Sequence, residues 1–279
     1  MNSNRVNSLL QQPRTVIMGI VNVTPDSFSD GGQYLDADAA VNHALALVEE
    51  GADLLDVGGE STRPGADEVS LQQELDRVIP VIERLQQAGD TPISIDTYKP
   101  EVMRAALQAG ASMVNDVNAL RAEGALQIVA EAGVPICLMH MHGLPKTMQD
   151  QPVYDDVVSE VISFLVQRIN ACQELGIPKQ DIIVDPGIGF GKSLDHNLAL
   201  LSSITQIRAE LRCETLIGVS RKSMIDELLN RKVSARSSAS VGLAVQAALN
   251  GAKIVRVHDV QATHDALRSV EAVLAGSVG

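Results

Sequence analysis

The feature that most constrains the fold is a repeated alternation of short apolar segments with amphipathic ones. Eight mostly apolar segments of six to nine residues end in polar residues: TVIMGIVNV (15–23), ADLLDVGG (52–59), PISIDT (92–97), SMVNDV (112–117), PICLMHM (135–141), DIIVDPG (181–187), TLIGVSR (215–221) and KIVRVHD (253–259). Continuous apolar runs of this length are typical of strands buried on both faces of a parallel sheet. Apolar residues at helical spacing lie between them, for example Val41, Ala44, Leu45 and Val48. The pattern therefore predicts an α/β fold.

Two architectures fit eight such units, a closed barrel and an open doubly wound sheet. An open sheet often carries G-x-G-x-x-G after its first strand, whereas NVTPDSFSDGG (22–32) stands at this point. No Pro-, Gly- or Ser-rich linker divides the chain. We predict a single (β/α)8 TIM barrel of residues 15–279, with the active site at the C-terminal ends of the strands and an N-terminal extension of residues 1–14. Within the barrel, Ser70 and Gln73 predict a helix-capping box, and Pro80 predicts a kink or split in the helix that follows.

The acidity of the chain limits what it binds. Its 279 residues carry a formal net charge of −13 and no tryptophan, which argues against broad contact with nucleic acid or an anionic membrane. The three cysteines lie in strand or helix segments, which predicts reduced packing residues. The N-terminus lacks the apolar region of a secretory signal, and no apolar run reaches the roughly 18 residues of a membrane span. We expect a cytoplasmic enzyme with no nucleic-acid or membrane partner.

Polar residues collect at the ends of the predicted strands, where a barrel gathers its reactive groups. Asp96, Asn115 and Asp185 lie at the ends of the third, fourth and sixth segments, so they can converge on the barrel axis. Two carboxylates and an amide suit a planar heterocycle with adjacent N–H donors, such as a 2-amino-4-oxopyrimidine edge. Each of these residues taken singly could instead cap a helix or a turn.

A second polar group consists mainly of cations. Its members lie at the ends of the first, second, seventh and eighth segments or just after them, and are Asn22, Thr62, Arg63, Arg221, Lys222, Arg256 and His258. In a chain of net charge −13, cations concentrated at strand ends indicate an anion site, often for phosphate. For Arg221, a salt bridge with a neighbouring acid explains the residue equally well.

Two further motifs do not complete a known site. DPGIGFGKS (185–193) resembles a phosphate-binding loop, but Pro186 occupies the position of its first glycine. His140 and His142 could form a metal pair, yet of the other histidines only His258 follows a predicted strand, so a zinc site is not supported.

Read in chain order, the motifs resemble those of the dihydropteroate synthase family of pterin-binding barrels. They are NVTPDSFSDGG (22–32), DVGGESTRPG (56–65), SIDT (94–97), NDV (115–117), LMHMHGLPKTMQ (138–149), DPGIGFGK (185–192), SRKS (220–223) and RVHD (256–259). The resemblance covers nearly the whole chain and implies a homodimeric transferase of folate biosynthesis that is a target of sulfonamides. Such an enzyme joins p-aminobenzoate to 6-hydroxymethyl-7,8-dihydropterin diphosphate, giving 7,8-dihydropteroate and diphosphate by a dissociative, SN1-like mechanism.

The resemblance also implies roles for individual residues. The pterin diphosphate would be bound by Thr62, Arg63, Asp96, Asn115, Asp185, Lys222, Arg256 and His258. The p-aminobenzoate pocket would be formed by Phe28, Thr62, Pro64, Phe190, Lys222 and Ser223. Catalysis would depend on Asp96, Asp185, Lys222 and Arg256, and Asn22 would bind the Mg²⁺ cofactor.

Two alternative functions share the same pterin-binding residues. A methyltetrahydrofolate-binding methyltransferase domain would have no diphosphate to hold, so the cations around Arg63 and Arg256 count against it. A non-catalytic pterin-binding homologue would be expected to have lost Asp26–Ser29 or the arginines, and all of these residues are present.

Overall fold

Eight parallel strands close into a barrel. The computed structural model describes residues 3–23, 33–61, 68–143 and 152–276. The strands are β1 (Val16–Asn22), β2 (Leu54–Gly58), β3 (Ile93–Asp96), β4 (Met113–Asp116), β5 (Ile136–Met139), β6 (Ile182–Asp185), β7 (Glu214–Ile217) and β8 (Ile254–Val257). They pair in chain order, and β8 pairs with β1. The predicted (β/α)8 barrel is confirmed, and β7, which begins one residue early, is the one strand that extends beyond its predicted segment.

Helices cover the outside of the barrel, except the first, which packs against the amino ends of the strands. In the described part of the chain they are α1 (Ser3–Gln11), α2 (Gln33–Glu49), α3 (Leu71–Ala88), α4 (Pro100–Ala109), α5 (Ala125–Ala132), α6 (Val157–Glu174), α7 (Leu194–Ser202), α8 (Ile204–Leu211), α9 (Ser223–Leu229), α10 (Ser237–Leu249) and α11 (Val260–Ala275). Ser70 and Gln73 form the predicted capping box of α3. The helix continues through Pro80, so the predicted split does not occur. Val78 and Val81 on either side are fully buried, and their packing compensates for the hydrogen bond that proline lacks.

The two faces of each strand have different surroundings. Outward-facing residues such as Ile17, Leu55 and Ile95 belong to the main core beneath the helices. Inward-facing residues near the amino ends of the strands form a separate apolar layer of Met18, Leu54, Met113, Cys137, Ile183, Leu216 and Ile254. Val6 of α1, which is 1% exposed, packs on this layer. The segment before β1 therefore contributes to the barrel base, while the division into an extension of residues 1–14 and a domain of residues 15–279 stays a prediction.

The cysteines behave as packing residues. Cys137, Cys172 and Cys213 are free and buried, and Cys137 lies inside the barrel. None of the described helices is both long and apolar enough to span a bilayer.

Candidate active site

The barrel interior becomes polar at the carboxyl ends of the strands. Two residues beyond the apolar layer, β2, β4, β6 and β8 carry Asp56, Asn115, Asp185 and Arg256, and β3 ends in Asp96. Because strand side chains alternate with a period of two, these side chains face the interior like the apolar layer beneath them. Asp96 pairs in register with Asn115 of the next strand. The structure thus brings Asp96, Asn115 and Asp185 to one end of the barrel, as predicted.

Arg256 crosses the barrel interior to two carboxylates. Its Nε lies 2.6 Å from Asp56 Oδ2 and its Nη2 lies 2.7 Å from Asp96 Oδ2. Burial opposes the charge of the guanidinium, but Asp56 and Asp96 outweigh this effect and raise the pKa of Arg256. Arg256, predicted for the diphosphate, therefore joins the pterin-edge carboxylates in this structure.

Asp56 is a member of this network that the sequence analysis did not include in the site. It is fully buried, and its Oδ2 also accepts a hydrogen bond of 3.1 Å from Asn115 Nδ2. That bond orients the Asn115 amide so that its Oδ1 is left as an acceptor. The sequence pattern could have placed Asp56 inside the barrel, because it follows Leu54 by two residues and so lies on the same face of β2. The pattern does not show which residues Asp56 contacts.

Two buried carboxylate oxygens have no hydrogen-bond partner among the described residues. They are Asp56 Oδ1 and Asp96 Oδ1. Buried polar atoms are rarely left unpaired, because desolvation without a hydrogen bond costs roughly 1–3 kcal/mol. The network is therefore suited to a ligand that supplies N–H or O–H donors.

Burial also changes the protonation of the acids. Desolvation raises the pKa of Asp96, and the nearby carboxylates of Asp56 and Glu74 add to this effect, while Arg256 opposes it. Desolvation likewise raises the pKa of Asp185, and Lys222 is the main charge that opposes it. Both acids are therefore protonated more readily than exposed carboxylates, and a positive charge beside them lowers their pKa again.

Lys222 lies between Asp185 and the loop that follows β6. Burial lowers the pKa of Lys222 to about 8 against the opposing effect of Asp185. Its Nζ donates to the Ile188 carbonyl oxygen and lies 4.6 Å from the centroid of the Phe190 ring. The Phe190 ring in turn packs on a cluster that contains Met139 and Met141. Lys222 and Phe190, both predicted for the p-aminobenzoate pocket, are therefore neighbours.

The remaining predicted residues in the described ranges lie near the rim of the barrel. Asn22 ends β1 and is partly exposed, and Ser223 is the exposed first residue of α9. His258 follows β8, and its Nδ1 lies 2.9 Å from the Ser220 hydroxyl. Asn22 thus ends a strand, His258 lies in the loop after β8, and Ser223 begins the helix that follows the β7 loop.

Two polar residues at strand ends have structural partners. The guanidinium of Arg221 forms a two-bond ion pair with Asp259, with distances of 3.2 and 2.6 Å, so the salt-bridge explanation holds for it. Asp116 accepts bonds of 2.7 Å from the backbone N–H groups of Asn118 and Leu120, so it caps a turn outside the barrel interior.

Other predicted site residues lie outside the described residues. They are Phe28, Thr62, Arg63 and Pro64, together with the segment Asp26–Ser29.

The donor set near Asn22 bears on the predicted Mg²⁺. In the described ranges no group of three or more His, Cys, Asp or Glu side chains could hold a metal ion. Mg²⁺ keeps several water ligands and is commonly held by one or two protein oxygens plus substrate phosphates. A single partly exposed amide oxygen at the barrel rim is compatible with that mode of binding.

Comparison with known proteins gives consistent matches. The model of a family described as pterin binding enzyme matches residues 18–258. The dihydropteroate synthase of Escherichia coli (strain K12) is 52% identical over 258 residues, which cover 92% of this chain and 91% of that protein. The solved structure of the Xanthomonas albilineans dihydropteroate synthase with 4-aminobenzoic acid has a TM-score of 0.89 at 55% identity, covering 94% of each chain. The same enzyme in complex with 7,8-dihydropteroate has a TM-score of 0.86 at 52% identity, covering 94% of this chain and 95% of that chain.

Proposed function

Because the chain belongs to the dihydropteroate synthases, a family of pterin-binding transferases, we propose an assignment of its residues to the steps of their reaction. In that reaction the C–O bond between the pterin methylene and the diphosphate breaks, and a C–N bond to p-aminobenzoate forms. The observation that carries the assignment is the buried network of Asp56, Asp96, Asn115 and Arg256 with its two unpartnered oxygens. The relatives solved with 4-aminobenzoic acid and with 7,8-dihydropteroate support it.

The pterin ring is assigned to the polar end of the barrel interior. A dihydropterin presents N–H donors at its amino group and ring nitrogens, and Asp96, Asn115 and Asp185 offer acceptors. Asp185 Oδ1 already accepts a 2.7 Å bond from the Gly187 N–H, so its other oxygen is the one assigned to the ligand. The acceptors are complementary to donors that are otherwise costly to bury.

The chemical step requires stabilisation of charge more than proton transfer. Loss of diphosphate leaves a positive charge on the pterin methylene, which conjugation spreads into the ring. Asp96 and Asp185, at the ring edge, are the groups assigned to stabilise that charge in a site of low dielectric constant. The aniline nitrogen is a neutral nucleophile that loses a proton after the C–N bond forms, so no strong general base is required.

The p-aminobenzoate ring is assigned to the face of Phe190 beside Lys222. The packing of Phe190 on Met139 and Met141 holds the Phe190 side chain in place. The Lys222 cation favours an anionic ligand. The Ser223 hydroxyl is assigned to the carboxylate. Phe28, Thr62 and Pro64 are assigned to the same pocket on the family resemblance alone.

The diphosphate is assigned to the rim, where His258 lies. Arg256 contributes to this site only if its guanidinium also contacts the diphosphate while it stays paired with Asp56 and Asp96. Thr62 and Arg63 are assigned here on the resemblance, and Asn22 is assigned as the ligand of Mg²⁺. When bound, the ion supplies positive charge to the diphosphate oxygens. A homodimer is likewise proposed on the resemblance, and sedimentation equilibrium tests it. A cytoplasmic location is proposed from the sequence features given above.

The decisive experiment is an assay of diphosphate release from the pterin diphosphate, with and without p-aminobenzoate and Mg²⁺. We expect release that depends on p-aminobenzoate, together with 7,8-dihydropteroate identified by mass spectrometry. Pterin binding with no release in any mixture would instead indicate a non-catalytic pterin-binding homologue. Transfer of a methyl group from methyltetrahydrofolate would indicate the methyltransferase alternative.

A further inference from the structure

One buried lysine has no role in the reaction described above. Lys192 lies at the end of the segment 186–193, which joins β6 to α7, and is 3% exposed. Its Nζ lies 3.0 Å from His140 Nδ1, 3.0 Å from the Phe190 carbonyl oxygen and 3.4 Å from the His140 carbonyl oxygen. Three neutral acceptors thus surround a group with three N–H donors. A buried ammonium is costly, so this arrangement calls for a reason.

The histidine in this pair is fixed as an acceptor. Burial and, to a smaller extent, the adjacent Lys192 together lower the pKa of His140 to about 3. The imidazole is therefore neutral, and because the Lys192 ammonium can only donate, Nδ1 is the acceptor and the imidazole proton is on Nε2. The ring is also held by Phe164, whose ring meets it edge-on at 4.9 Å between centroids.

Lys192 and His140 join the segment 186–193 to the end of β5. The approach is so close that a Cβ added at Gly187 would lie 1.8 Å from the His140 carbonyl oxygen, and Gly187 has a φ of +71°. Both conditions require glycine. Lys192 then bonds back to the Phe190 carbonyl, so the backbone that carries the Phe190 ring is fixed from the β5 side.

We propose that Lys192 is a positioning residue for the second substrate: with His140 as its neutral acceptor, it holds the segment 186–193 so that Phe190 forms one wall of the p-aminobenzoate pocket. The proposal rests on the proposed function for the identity of that substrate. In this assignment Lys192 contacts neither the pterin nor the p-aminobenzoate ring, and it acts through Phe190. The proposal also gives roles to Lys192 and His140, to which the sequence analysis assigned none.

A competing explanation is that Lys192 serves Asp185. Burial and the nearby Lys222 lower the pKa of Lys192 to about 7, against the opposing effect of Asp185. If the charge of Lys192 mainly tuned Asp185, its removal would weaken pterin binding. If Lys192 positions Phe190, its removal would weaken p-aminobenzoate binding and leave the pterin affinity nearly intact.

Steady-state kinetics of Lys192→Met separate these explanations. We expect KM for p-aminobenzoate to rise about tenfold to a hundredfold, as a small misplacement of a positioning group can do. We expect the pterin Kd to change by less than about threefold, within ordinary mutational scatter. Lys232→Met is the matched control, because Lys232 is exposed.

His140→Asn, which keeps a neutral acceptor, should raise KM less than His140→Leu, and His142→Asn is its control. An unchanged KM in Lys192→Met, or an equal loss of pterin affinity, would overturn the proposal.

Two further measurements keep the result interpretable. If Lys192→Met fails to fold, the double variant Lys192→Met with His140→Leu removes donor and acceptor together, which is far less costly. The double variant should fold and keep the raised KM, and a wild-type KM in it would contradict the proposal.

Nitrogen-15 NMR of the ligand-free protein should show His140 neutral, with its proton on Nε2, from pH 5 to 8. Protonation of His140 near pH 6.5 would refute the pair itself. The NMR result is independent of turnover, so failure of the assay for diphosphate release would count against the proposed function alone.

Discussion

Asp185→Asn gives a sharp test of the pterin site, because the structure fixes one of the two carboxylate oxygens. Asp185 Oδ1 accepts from the Gly187 N–H at 2.7 Å. An asparagine that kept this bond would present its NH₂ group to the N–H edge of the pterin. The flipped asparagine would present its oxygen to the pterin and its NH₂ to the Gly187 N–H. Either orientation places a donor against a donor.

The magnitude follows from that geometry. One charge-assisted hydrogen bond is lost, about 1.5–3 kcal/mol, and one buried donor is left unpaired, about 1–3 kcal/mol. Because the two costs partly overlap, we expect a loss of pterin affinity of roughly 2–4 kcal/mol, or about thirtyfold to a thousandfold in Kd. Isothermal titration calorimetry with the pterin measures it, and Asp195→Asn, an exposed change on α7, serves as the control. An unchanged pterin Kd in a folded Asp185→Asn would refute the assignment of Asp185 to the pterin edge.

Three further predictions concern the same end of the barrel. Asp56→Asn removes the carboxylate that accepts from both Arg256 and Asn115, so the free energy of unfolding should fall by about 2–4 kcal/mol; thermal denaturation followed by circular dichroism measures this, and an unchanged melting temperature would contradict it. Arg256→Ala leaves Asp56 and Asp96 without their cation, so it should abolish turnover and also weaken binding of a pterin without diphosphate; calorimetry showing undiminished binding of that pterin would confine Arg256 to the leaving group. Burial lowers the pKa of Lys222 to about 8, below the roughly 10.4 of an unfolded chain. The unfolded state therefore binds more protons between these values, and the contribution of Lys222 to stability rises with pH across this window. Urea denaturation from pH 7.5 to 10 should show a weaker rise in Lys222→Met than in the wild type, and identical slopes would contradict the pKa.

The sequence was sufficient for the barrel and for the end at which the site lies. Continuous apolar segments predict buried parallel strands, and polar residues at their ends mark the carboxyl face, so Asp96, Asn115 and Asp185 can be grouped from the sequence alone. The pairing of Arg256 with Asp56 could not be predicted in this way. The two residues are 200 positions apart, and their contact depends on the reach of one guanidinium across a closed barrel. Periodicity gives the face of a strand on which a residue lies, but it does not give the partner of that residue.

The pairing of Arg256 also explains why a neutral heterocycle suits this interior better than a cation or an anion. Arg256 is already ion-paired with Asp56 Oδ2 and Asp96 Oδ2, so a second buried cation would have to compete with it. An anion would be repelled by the two carboxylates. A pterin edge adds N–H donors to the unpartnered Oδ1 atoms and leaves both ion pairs in place. Binding then completes hydrogen bonds that the folded protein leaves unmade, without the cost of separating a buried pair. In the proposed reaction, the positive charge that forms on the pterin therefore develops beside carboxylates that are already fixed in position.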